Sequence, residues 1–192
     1  IIVISEEIAK EGIEDILEFI VREPSLNINQ ALLIAHGKAK DIEKLTPVFE
    51  RFPSDIPISF TQREVTINTK PKDFLETENG DMIVGLLSKK RIKMISEGGK
   101  EEIFVSPGEM ALFHDYKMVG KLDTKAGRAA FWLRNIIKGT EITIPSPIDQ
   151  KMISLDVTEA HSKIRPNKKE PLTFNVSIKS KAEVSESYST LD

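Results

Sequence analysis

The chain has 192 residues, 40% hydrophobic and 30% charged, with a formal net charge of -3, the balance of a globular protein rather than a disordered tail or a fibre. Its slight acidity argues against a dedicated nucleic-acid binder, which needs a surplus of Lys and Arg for phosphate contacts. With no cysteine, disulfides, thiolate zinc sites and cysteine nucleophiles are excluded within these residues, and no apolar run approaches the roughly 18 to 20 residues of a membrane helix.

The chain opens on Ile1 with "IIVIS", a strand-like run without the basic and apolar regions of a signal peptide, and reads as an excised fragment. Ser5 followed by Glu6 and Glu7 predicts a capped helix from Glu6, with acids at its positive end. Ala9, Ile13, Ile16, Leu17 and Ile20 recur at helical spacing, Gly12 marks a point where the helix can break, and Pro24 ends the element near Glu23. Residues 28–35, "INQALLIA", predict a largely buried strand, and "HGKAKDIEKL" a Gly turn into a short helix. This β-α-β-α order makes the first two strands parallel neighbours. The stretch "RFPSDIPISF", with two prolines, reads as a connector, and a domain boundary is expected near residue 68, giving 1–68 as part of a first domain and 69–192 as a second.

From "KPKDFLETENGD" onward the pattern is a short helix followed by strands between Gly, Pro and Asn turns, so the expected class is α+β with helices flanking β-sheets, the second sheet largely antiparallel. "ALFH", a turn over 115–117 and "MVGKL" predict a hairpin. Asp123 then caps a helix reaching about Ile137, with Ala126, Ala129, Ala130, Leu133, Ile136 and Ile137 on its buried face. Ile153, Leu155 and Val157, and later Leu172, Phe174, Val176 and Ile178, alternate with polar neighbours as half-buried strands do.

Catalytic signals are absent from the residues. His36, His114 and His161 have no HExxH or related spacing, so surface or turn roles are expected, with a metal hydrolase using all three as a distant rival. There is no GxSxG elbow, Walker A loop or GxGxxG. The pairs Glu6/Glu7 and Glu101/Glu102 suit helix caps and solvated loops, because adjacent acids point in different directions and cannot flank one bond. The basic run Ser88 to Lys93 reads as a solvated turn or lysine-blunted sheet edge rather than a lipid contact. Trp132 reads as core packing before interface anchor.

Four stretches, "ISEEIAKEGIEDILEFIVREP", "LLIAHGKAKDIEKL", "KMVGKLDTKAGRAAFWL" and "ISLDVTEAHSKIRP", together resemble the Ger(x)C family, the C subunits of nutrient germinant receptors of spore-forming bacteria. Gly12 and Arg22 fall on family positions, as do Gly37 to Ala39, and Val119, Gly120, Leu122 and Asp123 fit its "VGxLD", with Arg128, Trp132 and Leu133 in the helix after it. Ala126, Ala129 and His36 depart from the usual Glu, Gly and Lys. The resemblance implies a non-enzymatic lipoprotein without cofactor or metal, held on the outer face of the spore inner membrane by an anchor this chain does not carry, and assembling with two integral-membrane subunits to pass on a nutrient signal. Gly37, Gly120, Asp123, Arg128 and Trp132 are its candidate structural or interface positions. Gly120 is expected to admit a close neighbour to its strand. The rival from another class is an extracytoplasmic solute-binding module that holds a small nutrient directly.

Overall fold

The structure of the protein, a computed structural model, describes residues 1–43, 55–62, 66–93, 101–136, 140–167 and 173–188. By backbone proximity the chain falls into two compact units, Ile1–Gly127 and Arg128–Asp192.

In the first unit β1 (Ile2–Ser5) and β2 (Leu32–Ala35) run parallel, Ile2 opposite Leu32 and Ser5 opposite Ala35. Between them lie α1 (Glu6–Glu11) and α2 (Glu14–Arg22). The single amphipathic run is split because the Ile13 amide leaves the helix and donates to the Tyr116 carbonyl at 3.0 Å, while Gly12 takes φ +134°, a conformation open to glycine. Ser5 caps α1 by accepting from the Ile8 amide at its hydroxyl oxygen. After β2 come α3 (Lys40–Glu43), α4 (Asp55–Gln62) and α5 (Pro71–Leu75). The expected connector is therefore helical over 55–62; Pro57 sits in the first turn of α4, where its missing N–H leaves no intrahelical bond unmade.

The sheet continues through β3 (Met82–Lys93), parallel to β2, and the antiparallel strands β4 (Glu101–His114) and β5 (Lys117–Leu122), in the order β1-β2-β3-β4-β5. The expected boundary at residue 68 thus lies between β2 and β3, which are hydrogen-bonded neighbours in one sheet. The alternation of β2 sends Leu32 and Ile34 to one face, with Ile4, Leu17, Phe74 and Phe113, and Leu33 and Ala35 to the other, with Ile42 and Leu87. Both faces are covered, as parallel strands require. Phe74 and Phe113 meet edge to face at 5.4 Å, a favoured aromatic geometry. The predicted hairpin closes at Asp115 and Tyr116, both at positive φ, which matches the twist of the strands it joins.

Asp123 accepts from the Ala126 amide through Oδ1 at 2.8 Å, and α6 (Thr124–Leu133) follows. This helix ends four residues before the predicted limit, because Asn135 turns to φ +58° in the manner of a helix-terminating residue. Its expected apolar face is corrected as well. Ala129 and Leu133 are exposed and Ala126, Ala130, Trp132 and Ile136 half-buried, while the buried residue is Gly127; Ile137 lies outside the described residues.

The second unit holds an antiparallel sheet in the order β6-β7-β8, made of β6 (Thr140–Pro145), β7 (Met152–Asn167) and β8 (Thr173–Ser187). Asn135 is tied to the middle of β7: its Oδ1 accepts from the Ser162 amide, its Nδ2 donates to the Ser162 carbonyl at 3.2 Å, and the Ser162 hydroxyl donates to the Leu133 carbonyl at 2.6 Å. Ile153, Val157 and Ala160 are buried on β7. By contrast Phe174, Val176 and Ile178, expected half-buried, are exposed; Leu172 lies outside the described residues.

Candidate functional site

The parallel strands β1 and β2 end side by side at Ser5 and Ala35, and the residues immediately following them are Glu6 and His36. Crevices beyond the carboxyl ends of parallel strands are the usual binding places of such sheets. Glu6 is only 6% exposed, although the sequence reads it as a solvated helix cap. Its Oε1 accepts from Lys10 Nζ at 2.8 Å and Lys121 Nζ at 2.9 Å, and its Oε2 lies 2.6 Å from His36 Nδ1. Lys10 is one helical turn along α1 and Lys121 stands on β5, so one carboxylate joins a helix, a strand end and the hairpin.

Burial pushes the Glu6 carboxyl upward, but the hydrogen bonds from Lys10, Lys121 and His36 and the nearby Lys121 charge outweigh it and bring the pKa down from 4.5 to about 2. Such a group stays ionised throughout the physiological range. It is too weak a base to take protons near neutrality; what it does is hold two lysines and a histidine in place. The only sequence signals for the cluster are the i, i+4 pair Glu6/Lys10 and Ser5 at the strand end. Nothing in the spacing relates them to residues 36 and 121.

Two hollows meet at His36. One, of about 540 Å³, is lined by Glu6, Glu7, Lys10, Glu11, His36 and Gly37. The other, of about 550 Å³, is lined by His36, Ser88, Lys89, Glu109, Lys121 and Asp123, among others. Charged groups here are already engaged: Ser88 Oγ donates to Glu109 Oε2 at 2.7 Å and Lys89 Nζ to Asp41 Oδ2 at 2.9 Å. Ser88 and Lys89 stand just past Leu87, the last residue of β3 paired with β2, in the part of β3 that pairs with β4, so this part of the basic run lies at a sheet margin.

Of the sequence-derived positions, Gly37 and Asp123 line the two joined hollows. Gly37 needs glycine for its φ of +82°. Gly120 faces only Leu112 Cδ1, 3.7 Å from where a Cβ would stand, so the close neighbour expected there is not found. The close approaches occur at Gly85, against Thr66 Oγ1 and Leu33 Cδ2, at Gly80, against the Tyr116 ring, and at Gly127, against the Gly108 carbonyl oxygen. Arg128 is exposed and Trp132 half-buried on α6. His114 bonds Asp81 at 2.6 Å, at the start of β3. Six strand steps from Asp81 to Leu87 place it roughly 20 Å from His36. Among the described residues no group of three or more His, Cys, Asp or Glu side chains is arranged to hold a metal ion, and no helix is long and apolar enough to cross a membrane.

A mixed five-stranded sheet with its crossover helices, followed by a smaller antiparallel sheet, defines a two-unit α+β protein. Two family descriptions match it in collinear order: "Spore germination protein N-terminal domain" over residues 1–89, and "Spore germination B3/GerAC like, C-terminal" over residues 108–192. The chain belongs to the Ger(x)C family of spore germination proteins. It is 21% identical over 196 residues to YfkR of Bacillus subtilis (strain 168), which carries the description of a spore germination protein; the match takes in 100% of this chain and 50% of YfkR. The crystal structure of the GerBC protein shares the fold, with a TM-score of 0.64 at 15% identity, over 100% of this chain and 54% of GerBC. The chain thus spans about half the length of these relatives.

Proposed function

We propose that the chain supplies the first two domains of a germinant-receptor C subunit, a non-enzymatic component that supports nutrient sensing through protein–protein contacts at a membrane surface. The observation that supports this most is the collinear match of both family halves across residues 1–89 and 108–192. The local chemistry is consistent with it, since the most perturbed carboxylate, Glu6, is engaged as a structural clamp. In this reading the complete protein is lipid-anchored on the outer face of the spore inner membrane and works with two integral-membrane subunits. Gly37, Gly120, Asp123, Arg128 and Trp132 belong to structural or interface positions within it.

The test is deletion of the gene in its own host, with loss of spore refractility followed against a panel of nutrients and the protein sought in isolated spore membranes. The reading expects a defect towards at least one nutrient and co-purification with two integral-membrane proteins. Normal germination with every nutrient, or absence from the spore membrane fraction, would overturn it. The solute-binding reading draws on the 550 Å³ cleft; it requires a ligand-dependent rise in melting temperature of the isolated chain, and an unresponsive protein removes it.

A further inference from the structure

β8 is fifteen residues long, forms the outer edge of its sheet, and among the described residues pairs with β7 alone. Its even-numbered side chains, Phe174, Val176, Ile178, Ala182 and Val184, lie on one face and its odd-numbered ones, including Lys179, Lys181 and Glu183, on the other, as strand alternation dictates. The apolar side chains are uncovered: Phe174 is 57% exposed, Ile178 47% and Val184 60%. A long open edge with uncovered apolar side chains is a template for another strand.

The charge order along this edge selects the partner. Its lysines, 179 and 181, precede its acids, 183 and 186, so a strand laid against it in the opposite direction should present acid first, and β8 itself read backwards does so. We propose that β8 pairs edge to edge with β8 of a second copy of this chain, in the antiparallel register centred on Lys181. In that register Lys179 faces Glu183 and Ile178 faces Val184, each twice by the two-fold symmetry; both pairs fall before the bulge at Ser185. Lys181 meets its own copy on the axis, with Glu183 of the second copy on the diagonal. Sliding one copy by two residues one way retains one type of ion pair, Lys181 with Glu183, but sets Val184 against Ser180; sliding it the other way sets Lys179 against Lys181. Charge and apolar matching together therefore fix the register, and the charges fix the direction. The two three-stranded sheets become one of six, with both apolar faces on the same side.

Light scattering coupled to gel filtration, over a concentration series of the full chain, tests this. The wild type should reach a dimer and no larger species. Lys179→Glu and Glu183→Lys should each weaken self-association roughly ten- to hundredfold, since each turns two attractive cross-strand pairs repulsive. The double variant K179E/E183K should restore it. Circular dichroism of these exposed-site variants checks that they remain folded. A wild-type monomer at all concentrations, open-ended oligomers, a dimer indifferent to either single reversal, or rescue by K181E/E183K in place of K179E/E183K would each overturn the proposal.

Discussion

Glu6→Gln isolates the clamp at the ends of β1 and β2. The carboxyl falls from 4.5 to about 2 in the folded protein, which at 1.36 kcal/mol per unit is about 3 kcal/mol of stability at neutral pH. The sign follows from the depressed value: the contribution is fully present above pH 4.5 and is lost as pH falls toward 2. At pH 3 about 1 kcal/mol should be left. Glutamine keeps the size of the side chain and removes its charge, leaving Lys10, Lys121 and His36 without their common partner. The variant should therefore melt roughly 6–12 °C below wild type at pH 7, for a chain of this length, and the gap should narrow to a few degrees at pH 3. Calorimetry of both proteins at the two pH values provides the measurement. A gap of equal size at both, or none at pH 7, would refute the assignment of the low pKa to this cluster.

Other substitutions read the remaining contacts. Gly85→Ala places a Cβ 2.8 Å from Leu33 Cδ2 and still closer to Thr66 Oγ1, in the middle of the sheet, and should lower stability by about 2 kcal/mol or more by overpacking; a denaturant midpoint equal to wild type would contradict this. Thr66→Val should raise stability by about 1 kcal/mol, because Thr66 Oγ1 is buried without a hydrogen-bond partner and valine removes that cost while keeping the shape; a lower midpoint would reveal a hydroxyl contact. Asp123→Ala should cost about 1 kcal/mol through loss of the α6 cap, and Asp123→Asn much less; an unchanged melting temperature in the alanine variant would sink the capping role.

What could be read from the sequence is what is encoded locally. The β4–β5 turn, the Asp123 cap, the parallel β1–β2 pair and even the break at Gly12 follow from neighbouring residues. The cause of that break does not, since the acceptor of the Ile13 amide is Tyr116, a hundred residues away. Glu6 was hidden for the same reason: beside Glu7 it looks like a capping acid, and only the fold brings His36 and Lys121 to it. The helix over 55–62 was masked by Pro57, whose effect depends on which turn it occupies. Periodicity marked strands over 82–122 without naming the sheet they join, so the expected seam fell at residue 68. The same blindness applies to β8, where alternation marks a strand face and cannot say whether anything covers it.

The hydrogen bond from Ile13 to Tyr116 and the ion pair from Glu6 to Lys121 also set an order in time. A ribosome adding about 5–20 residues per second finishes α1, α2 and β2 several seconds before residues 116 and 121 emerge. Through that interval Glu6 lacks one of its three partners and the kink at Gly12 lacks the carbonyl that fixes it. The amino-terminal segment must wait, incompletely locked, for a hairpin made much later, and its final shape is set when β5 arrives.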